Sequence, residues 1–148
     1  MSVESEKKTR ENVLEGHTDY VNWMAISSDK KFIVTGSADK TVRVWNLQEA
    51  VFEGHTSVVR GVAITSDYKF IVSGSSDCTV QVWNLQDKCQ KVVICGHFNV
   101  VRSVTITSNN KFIVFSSDDQ TVRVWNLKKK KRKCSSKDSL VSGNKLFI

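Results

Sequence analysis

One sequence motif occurs three times along the chain. A Gly-His pair is followed 29 residues later by a tryptophan, with a Ser-x-Asp-x-Thr-Val segment between them, and the copies begin at Gly16, Gly54 and Gly96. From each tryptophan to the next glycine the chain advances 9 residues in one case and 13 in the other. A constant unit with connections of variable length is a structural repeat. This period is typical of units that bury their apolar faces by stacking on one another.

Each copy contains short segments rich in β-branched and aromatic residues, separated by turn residues. In the first copy these segments are 21–26, 31–35 and 41–47, and the connection at 50–52 has room for a fourth strand. No segment has apolar residues at helical spacing over the roughly ten residues that a helix needs. Apolar side chains on both strand faces favour sheets stacked between neighbours. The sequence therefore predicts an all-β fold of three four-stranded antiparallel units. The predicted units span about 9–47, 48–85 and 86–127.

The three copies resemble WD repeats, the four-stranded blades of β-propellers, over about residues 10–127. The resemblance rests on Gly-His, the Ser-x-Asp turn and the strand-ending tryptophan at fixed offsets. Each tryptophan is followed by asparagine where the family often has aspartate, which is a common variation. The resemblance implies a non-enzymatic scaffold or adaptor that mediates protein–protein interactions. Because a propeller needs about four to eight blades to close, three blades form an incomplete ring unless chains associate.

Each copy also contains the residue types of a hydrolase triad, a serine, a histidine and an aspartate. A set that recurs in every copy is better interpreted as an internal brace than as an active site. The resemblance implies a network in which the aspartate holds the histidine ring, the histidine reaches the serine, and the serine reaches the indole N–H. The predicted braces are His17, Ser37, Asp39 and Trp45; His55, Ser75, Asp77 and Trp83; and His97, Ser117, Asp119 and Trp125.

No other pattern indicates a cofactor or a metal. Cys95 and His97 are two residues apart, but zinc usually takes two close ligand pairs and the sequence offers no second one. The seven glycines form no phosphate-binding loop. We therefore expect no cofactor, no metal and no enzymatic activity.

The resemblance places partner-binding residues in the loops before each first strand and in the Ser-x-Asp turns. Together these loops and turns form one end of the blades, which we call the top face. Two of its residues, Arg60 and Arg102, are suited to a carboxylate-rich or phosphorylated peptide, because guanidinium groups bind such groups in bidentate fashion. The alternative is that both arginines pair only with nearby acids such as Asp118. The candidate residues are Tyr20, Asn22 and Ala38; Val58, Arg60 and Ser76; and Val100, Arg102 and Asp118.

The excess positive charge lies at the C-terminal end. The net charge is +7, yet residues 1–127 contain 14 basic and 14 acidic residues, whereas residues 128–148 contain eight and one. The alternative function is a nuclear or nucleic-acid-associated module that uses this basic run. Residues 139–148 also resemble the beginning of a fourth repeat. The basic run comprises Lys128, Lys129, Lys130, Lys131, Arg132 and Lys133.

The two ends of the repeat region are complementary. Residues 9–14 have the position and pattern of an outer blade strand, whereas the basic run follows the third copy where its own outer strand is expected. One interpretation is a homo-oligomer in which the N-terminal strand of one molecule adds to the third unit of the next. The other is that the chain is a piece of a longer propeller.

Three features predict an intracellular protein, cytoplasmic or nuclear. The N-terminal residues 1–8 are polar and lack a signal-peptide pattern. The four cysteines have no spacing typical of a disulfide framework. Since no apolar run approaches the roughly 18 residues of a membrane span, we expect no membrane contact.

Overall fold

The computed structural model describes residues 12–46 and 49–128, which form three antiparallel sheets. Each sheet is one blade with its strands in chain order. Blade 1 contains β1 (Val21–Ile26), β2 (Ile33–Ser37), β3 (Val42–Trp45) and β4 (Ala50–Phe52). Blade 2 contains β5 (Val59–Ile64), β6 (Phe70–Ser75), β7 (Val80–Asn84) and β8 (Cys89–Ile94). Blade 3 contains β9 (Val101–Ile106), β10 (Phe112–Ser117) and β11 (Val122–Asn126).

The blades are stacked in chain order, with β5 between β1 and β9. The outer strand of each of the first two blades comes just before the Gly-His pair of the next copy. The repeat units of the sequence are therefore offset by one strand from the sheets. This offset places the Gly-His segment at the junction between successive blades.

Two apolar layers hold the blades together. Because strand side chains alternate between faces, β6 and β7 place Ile71 and Trp83 towards blade 1, and Val72 and Val82 towards blade 3. All four side chains are buried. Each blade therefore completes the core of its neighbour, as the two-sided apolar pattern predicts.

Close approach between blades depends on one glycine in the second strand of blades 1 and 2. A Cβ atom on Gly36 would lie 2.6 Å from Cγ1 of Val59, and one on Gly74 would lie 2.7 Å from Cγ1 of Val101. Neither contact is sterically possible without movement of a blade. Ser116 takes the same register position in blade 3.

At the other end of the blades, which we call the bottom face, the turns between first and second strands also connect neighbours. The Ser28 hydroxyl lies 2.6 Å from the Tyr68 hydroxyl, and the Ser66 amide donates to Oδ1 of Asn110 at 3.0 Å. Tyr68 and Asn110 occupy equivalent turn positions with φ of 57° and 55°. These bonds set the relative position of successive blades.

The all-β prediction is confirmed, with one difference in blade 3. Blades 1 and 2 have four strands each, whereas the described part of blade 3 has three. Within the predicted N-terminal strand, residues 12–14 form no strand, and residues 9–11 lie outside the described residues. The predicted fourth-repeat remnant at 139–148 also lies outside them.

Two further findings concern the cysteines and the membrane prediction. Cys78 and Cys89 have free thiols, whereas Cys95 is disulfide-bonded, which the cysteine spacing did not predict. The described part of the chain has no helix of the length and apolar character needed to cross a membrane. The cellular compartment stays a prediction from the sequence.

Candidate functional site

The second copy contains a complete brace. Nδ1 of His55 lies 2.7 Å from Oδ2 of Asp77, and its Nε2 lies 2.7 Å from the Ser73 hydroxyl. The Trp83 indole N–H donates to the same hydroxyl at 2.8 Å. Since an ionised carboxylate only accepts, Nδ1 of His55 donates its N–H to Asp77. The network thus satisfies a buried imidazole and a buried indole N–H, each of which would cost about 1–3 kcal/mol if left unpaired.

Blade 1 has the same network with Thr35 as the bridging hydroxyl. Nε2 of His17 lies 2.7 Å from the Thr35 hydroxyl, which accepts the Trp45 indole N–H at 2.8 Å. Nδ1 of His17 lies 2.7 Å from Oδ2 of Asp39. The bridging position is therefore two residues before the predicted serine.

The prediction that Ser37, Ser75 and Ser117 bridge histidine to tryptophan is wrong. These serines lie at the strand ends, where the turns already use their hydroxyls. In blade 1, the Ser37 hydroxyl accepts the backbone N–H of Asp39 at 3.1 Å and donates to the Asp19 carbonyl at 3.2 Å. Equivalent bonds occur in the other two blades. The serines hold the aspartates in place and do not touch the rings.

The third brace lacks the bridging hydroxyl. Phe115 occupies the position of Thr35 and Ser73, and its ring packs edge-on against His97 at a centroid distance of 5.2 Å. Nδ1 of His97 still lies 2.5 Å from Oδ2 of Asp119, but its buried Nε2 has no hydrogen-bond partner. Blade 3 therefore has the least satisfied brace.

Each brace aspartate is an ionised acceptor for several donors. Burial raises the pKa of Asp77, but the hydrogen bonds with His55 and Thr79 outweigh that effect and lower it to about 2. Burial also opposes the ionisation of Asp39 and Asp119, and their threonine and histidine partners again depress the pKa. All three carboxylates therefore contribute stability in the ionised form.

We predict that the protein loses stability in acid between about pH 4 and pH 2. A carboxyl group whose folded pKa lies below its unfolded value stabilises the fold above the unfolded pKa, and this contribution is lost as the pH falls through the folded pKa. For Asp77 the two values are about 2 and 3.8. Urea unfolding at a series of pH values measures the effect. A free energy of unfolding that is constant from pH 5 to pH 2 would contradict it.

The predicted top-face residues are brought together within each blade by backbone hydrogen bonds. The amide of Ala38 donates to the carbonyl of Tyr20 at 2.8 Å, and Ser76 and Val58 pair in the same way at 2.9 Å. In blade 3 the Asp118 amide donates to the Val100 carbonyl at 3.0 Å. Each loop before a first strand is thus fixed to the adjacent turn. The top face is a set of anchored loops.

The two top-face arginines differ in their contacts. Arg102 makes a bidentate contact with Asp118, with Nη2 2.6 Å and Nε 2.9 Å from the carboxylate oxygens. This contact, assisted by the nearby charge of Arg60, lowers the pKa of Asp118. Arg60 donates its Nε–H to the Ser76 hydroxyl at 2.9 Å. The alternative of pairing with a nearby acid therefore holds for Arg102.

Two aromatic side chains stand out from the top face. Tyr20 on blade 1 is 81% exposed, and Phe98 on blade 3 is 70% exposed. The sequence-based prediction missed Phe98, although the other two copies have threonine at that position, Thr18 and Thr56. The Asn22 amide donates to the Val59 carbonyl of blade 2 at 3.3 Å and so supports the junction.

The described residues include the first residue of the basic run, Lys128. Lys128 is exposed, and its backbone N–H donates to Oδ1 of Asn126 at 2.9 Å. The other five residues of the run, 129–133, lie outside the described residues, so the nucleic-acid alternative stays a prediction. Within residues 12–46 and 49–128, no group of three or more His, Cys, Asp or Glu side chains is arranged to hold a metal ion.

Stacked antiparallel sheets, each with a braced histidine and aspartate, define a repeat protein built from propeller blades. Comparison with protein-family models agrees: the family described as WD domain, G-beta repeat matches residues 8–46, 48–84 and 87–126. The chain therefore belongs to the WD-repeat family. Repeats of this family generally mediate protein–protein interactions, and the proteins that contain them are generally non-enzymatic scaffolds.

Two curated relatives match about one repeat each. Mitochondrial division protein 1 of Schizosaccharomyces pombe is 59% identical over 34 residues, and WD repeat-containing protein srw1 of the same organism is 49% identical over 39 residues. The matches cover 23% and 26% of this chain, but only 5% and 7% of the relatives. Each match therefore covers about one blade and assigns no partner or activity to this chain.

Proposed function

We propose that this chain is a scaffold or adaptor that binds another protein across its top face. The observation that supports this role best is the placement of two exposed aromatic rings, Tyr20 and Phe98, on anchored loops at the same end of the blades. Exposed aromatic side chains are common anchors of protein interfaces. Because backbone hydrogen bonds already order these loops, less conformational entropy is lost when a partner binds to them.

The polar centre of this surface indicates the chemistry of the partner. Asp118 already accepts two donors from Arg102, so that pair is a fixed structural element of blade 3. Among the described residues, no carboxylate accepts a hydrogen bond from Arg60. The partner segment therefore places a carboxylate or phosphate group at Arg60 and apolar side chains against Tyr20 and Phe98.

The proposal predicts that top-face substitutions weaken peptide binding at least tenfold. Twelve-residue peptides are selected by phage display on the immobilised chain, and the Kd of each is measured by fluorescence polarisation. Tyr20→Ala, Phe98→Ala and Arg60→Ala should each raise Kd by about tenfold or more, because an interface hot spot contributes about 2 kcal/mol or more. Their melting temperatures should stay close to that of the parent chain, because these side chains lie outside the apolar layers.

Lys111→Ala is the matched control for Arg60→Ala. It removes one positive charge from an exposed position at the bottom face. Its Kd should equal that of the parent chain. Selected peptides that bind the three top-face variants as tightly as the parent chain would refute the proposal.

A further inference from the structure

The outward face of blade 3 has the composition of an interblade junction but nothing packed on it among the described residues. By strand register, Val122 is the counterpart of Val42 and Val80. Val122 is 66% exposed, whereas its two counterparts are fully buried beneath the next blade. We call this surface the trailing face. It consists of Val114, Ser116, Val122 and Val124.

Blade 1 has its opposite face open within the part of the chain that the structure describes. Met24 is the register counterpart of Val62 and Val104, which pack on the preceding blade. Met24 is 56% exposed, whereas Val62 and Val104 are 2% and 5% exposed. Val21 and Ile26 on the same strand are also exposed. We call the surface formed by Val21, Met24 and Ile26 the leading face.

Residues 12–14, before the first Gly-His pair, also lack the strand pairing that the segments before the other two Gly-His pairs have. Leu14 lies two residues before Gly16, as Phe52 and Ile94 do before their glycines. Phe52 pairs with Val42 in β4, and Ile94 pairs with Val80 in β8. Both are buried, whereas Leu14 is 47% exposed and belongs to no strand.

We propose that a second copy of this chain docks head to tail on blade 3. Residues 12–14 of the second copy pair with β11 of the first and become the outer strand of its blade 3, with Leu14 opposite Val122. The leading face of the second copy then covers the trailing face of the first. Both internal junctions of the chain have this arrangement, so the docked copy repeats an interface that the chain forms twice within itself. Strand addition at an open edge supplies backbone hydrogen bonds as well.

Two copies can satisfy both junctions at once. The interface is heterologous, so it closes into a ring only when the rotation per blade permits it. A pair of three-blade chains gives six blades, which is within the range of about four to eight found in closed propellers. The association uses the leading and trailing faces and is independent of partner binding at the top face.

One side chain weakens the fit of the docked copy. Ser116 lies where the internal junctions have Gly36 and Gly74, which contact valines of the next blade. A side chain there holds the second copy slightly farther away than an internal blade. Ser116→Gly should therefore shift association to lower protein concentration.

The experiment introduces charges at Leu14 and Val122, which the proposal places opposite each other across the contact between two copies. Leu14→Asp and Val122→Lys are compared with the parent chain by size-exclusion chromatography with light scattering over a concentration series. The parent chain should reach twice its 16.7 kDa mass, and each variant alone should stay at 16.7 kDa. An equimolar mixture of the two variants should regain the double mass, because one junction then joins the introduced aspartate to the introduced lysine and the other joins Leu14 to Val122.

The mixture also controls for misfolding, since a variant that fails to fold cannot restore association. A parent chain and a Ser116→Gly variant that both stay at 16.7 kDa at every concentration would overturn the proposal. Association that persists in both charge variants would also overturn it, because the contact would then lie elsewhere.

Discussion

Replacing Asp77 by alanine should lower the free energy of unfolding by about 3 kcal/mol, because it removes a carboxylate that accepts four hydrogen bonds at the second brace. Asp77 accepts from Nδ1 of His55 at 2.7 Å, and from the hydroxyl and amide of Thr79 at 2.6 and 2.9 Å. The Thr56 amide donates to it at 3.1 Å. Without the carboxylate, the buried Nδ1–H of His55 retains a contact of 3.5 Å with the Thr79 hydroxyl, which is too long to replace the lost bond. Chemical denaturation monitored by tryptophan fluorescence measures the loss.

Asp67→Ala is the matched control in the same blade. Asp67 also lies in a turn and also accepts two bonds there, from the Thr65 hydroxyl at 2.7 Å and the Lys69 amide at 3.1 Å. It is exposed and touches no histidine. Its loss should cost about 1 kcal/mol. Equal effects of the two substitutions would show that Asp77 is an ordinary turn residue and that the brace contributes nothing of its own.

Gly74→Val should also cost about 3 kcal/mol, by separating blades 2 and 3. The added Cβ would lie 2.7 Å from Cγ1 of Val101 and 2.9 Å from Cγ1 of Val104, both of which are buried. Neither valine can move aside without opening the apolar layer between the blades. Valine favours strands, so any loss comes from packing and not from strand propensity.

Ser116→Val introduces the same side chain at the register position of Gly74 in blade 3. No residue among 12–46 and 49–128 covers the outward surface around Ser116, so the free energy of unfolding should change by less than about 0.5 kcal/mol at a concentration where the chain is monomeric. Both variants are compared by urea denaturation. A small effect of Gly74→Val would contradict the tight packing of successive blades.

Much of the fold follows from the sequence, because strand formation here depends on local patterns. Turn residues separate short β-branched segments, and the repeat at Gly16, Gly54 and Gly96 shows that one unit recurs. Apolar residues on both strand faces predict stacking. The described part of blade 3 has three strands, and the basic run follows it where the repeat pattern expects the fourth.

The brace was predictable only in part. Histidine and aspartate recur in every copy, whereas the bridging position has threonine, serine and phenylalanine at Thr35, Ser73 and Phe115. The serines that recur in every copy made a clearer pattern but lie two residues further along the strand. Because residues two apart share one face of a strand, only the position of the indole and imidazole rings decides which hydroxyl they reach.

The side-chain contacts of the top face could not be predicted from the sequence either. The spacing identifies Arg102 and Asp118 as top-face residues, but their bidentate contact depends on side-chain orientation. Phe98 stands where the other copies have threonine, so an aromatic departure from the repeat was the signal that could have identified it. Residues that differ between copies at an exposed position are candidates for function, since the shared residues serve the fold.

Hydrogen–deuterium exchange on the chain saturated with a selected peptide tests most directly that the top face is the binding surface. We expect slower exchange in the three loops that contain Tyr20, Arg60 and Phe98, at 18–22, 56–60 and 98–102. The bottom-face turns at 28–31 and 66–69 should exchange at the same rate with and without peptide. Protection confined to those bottom-face turns would contradict the account.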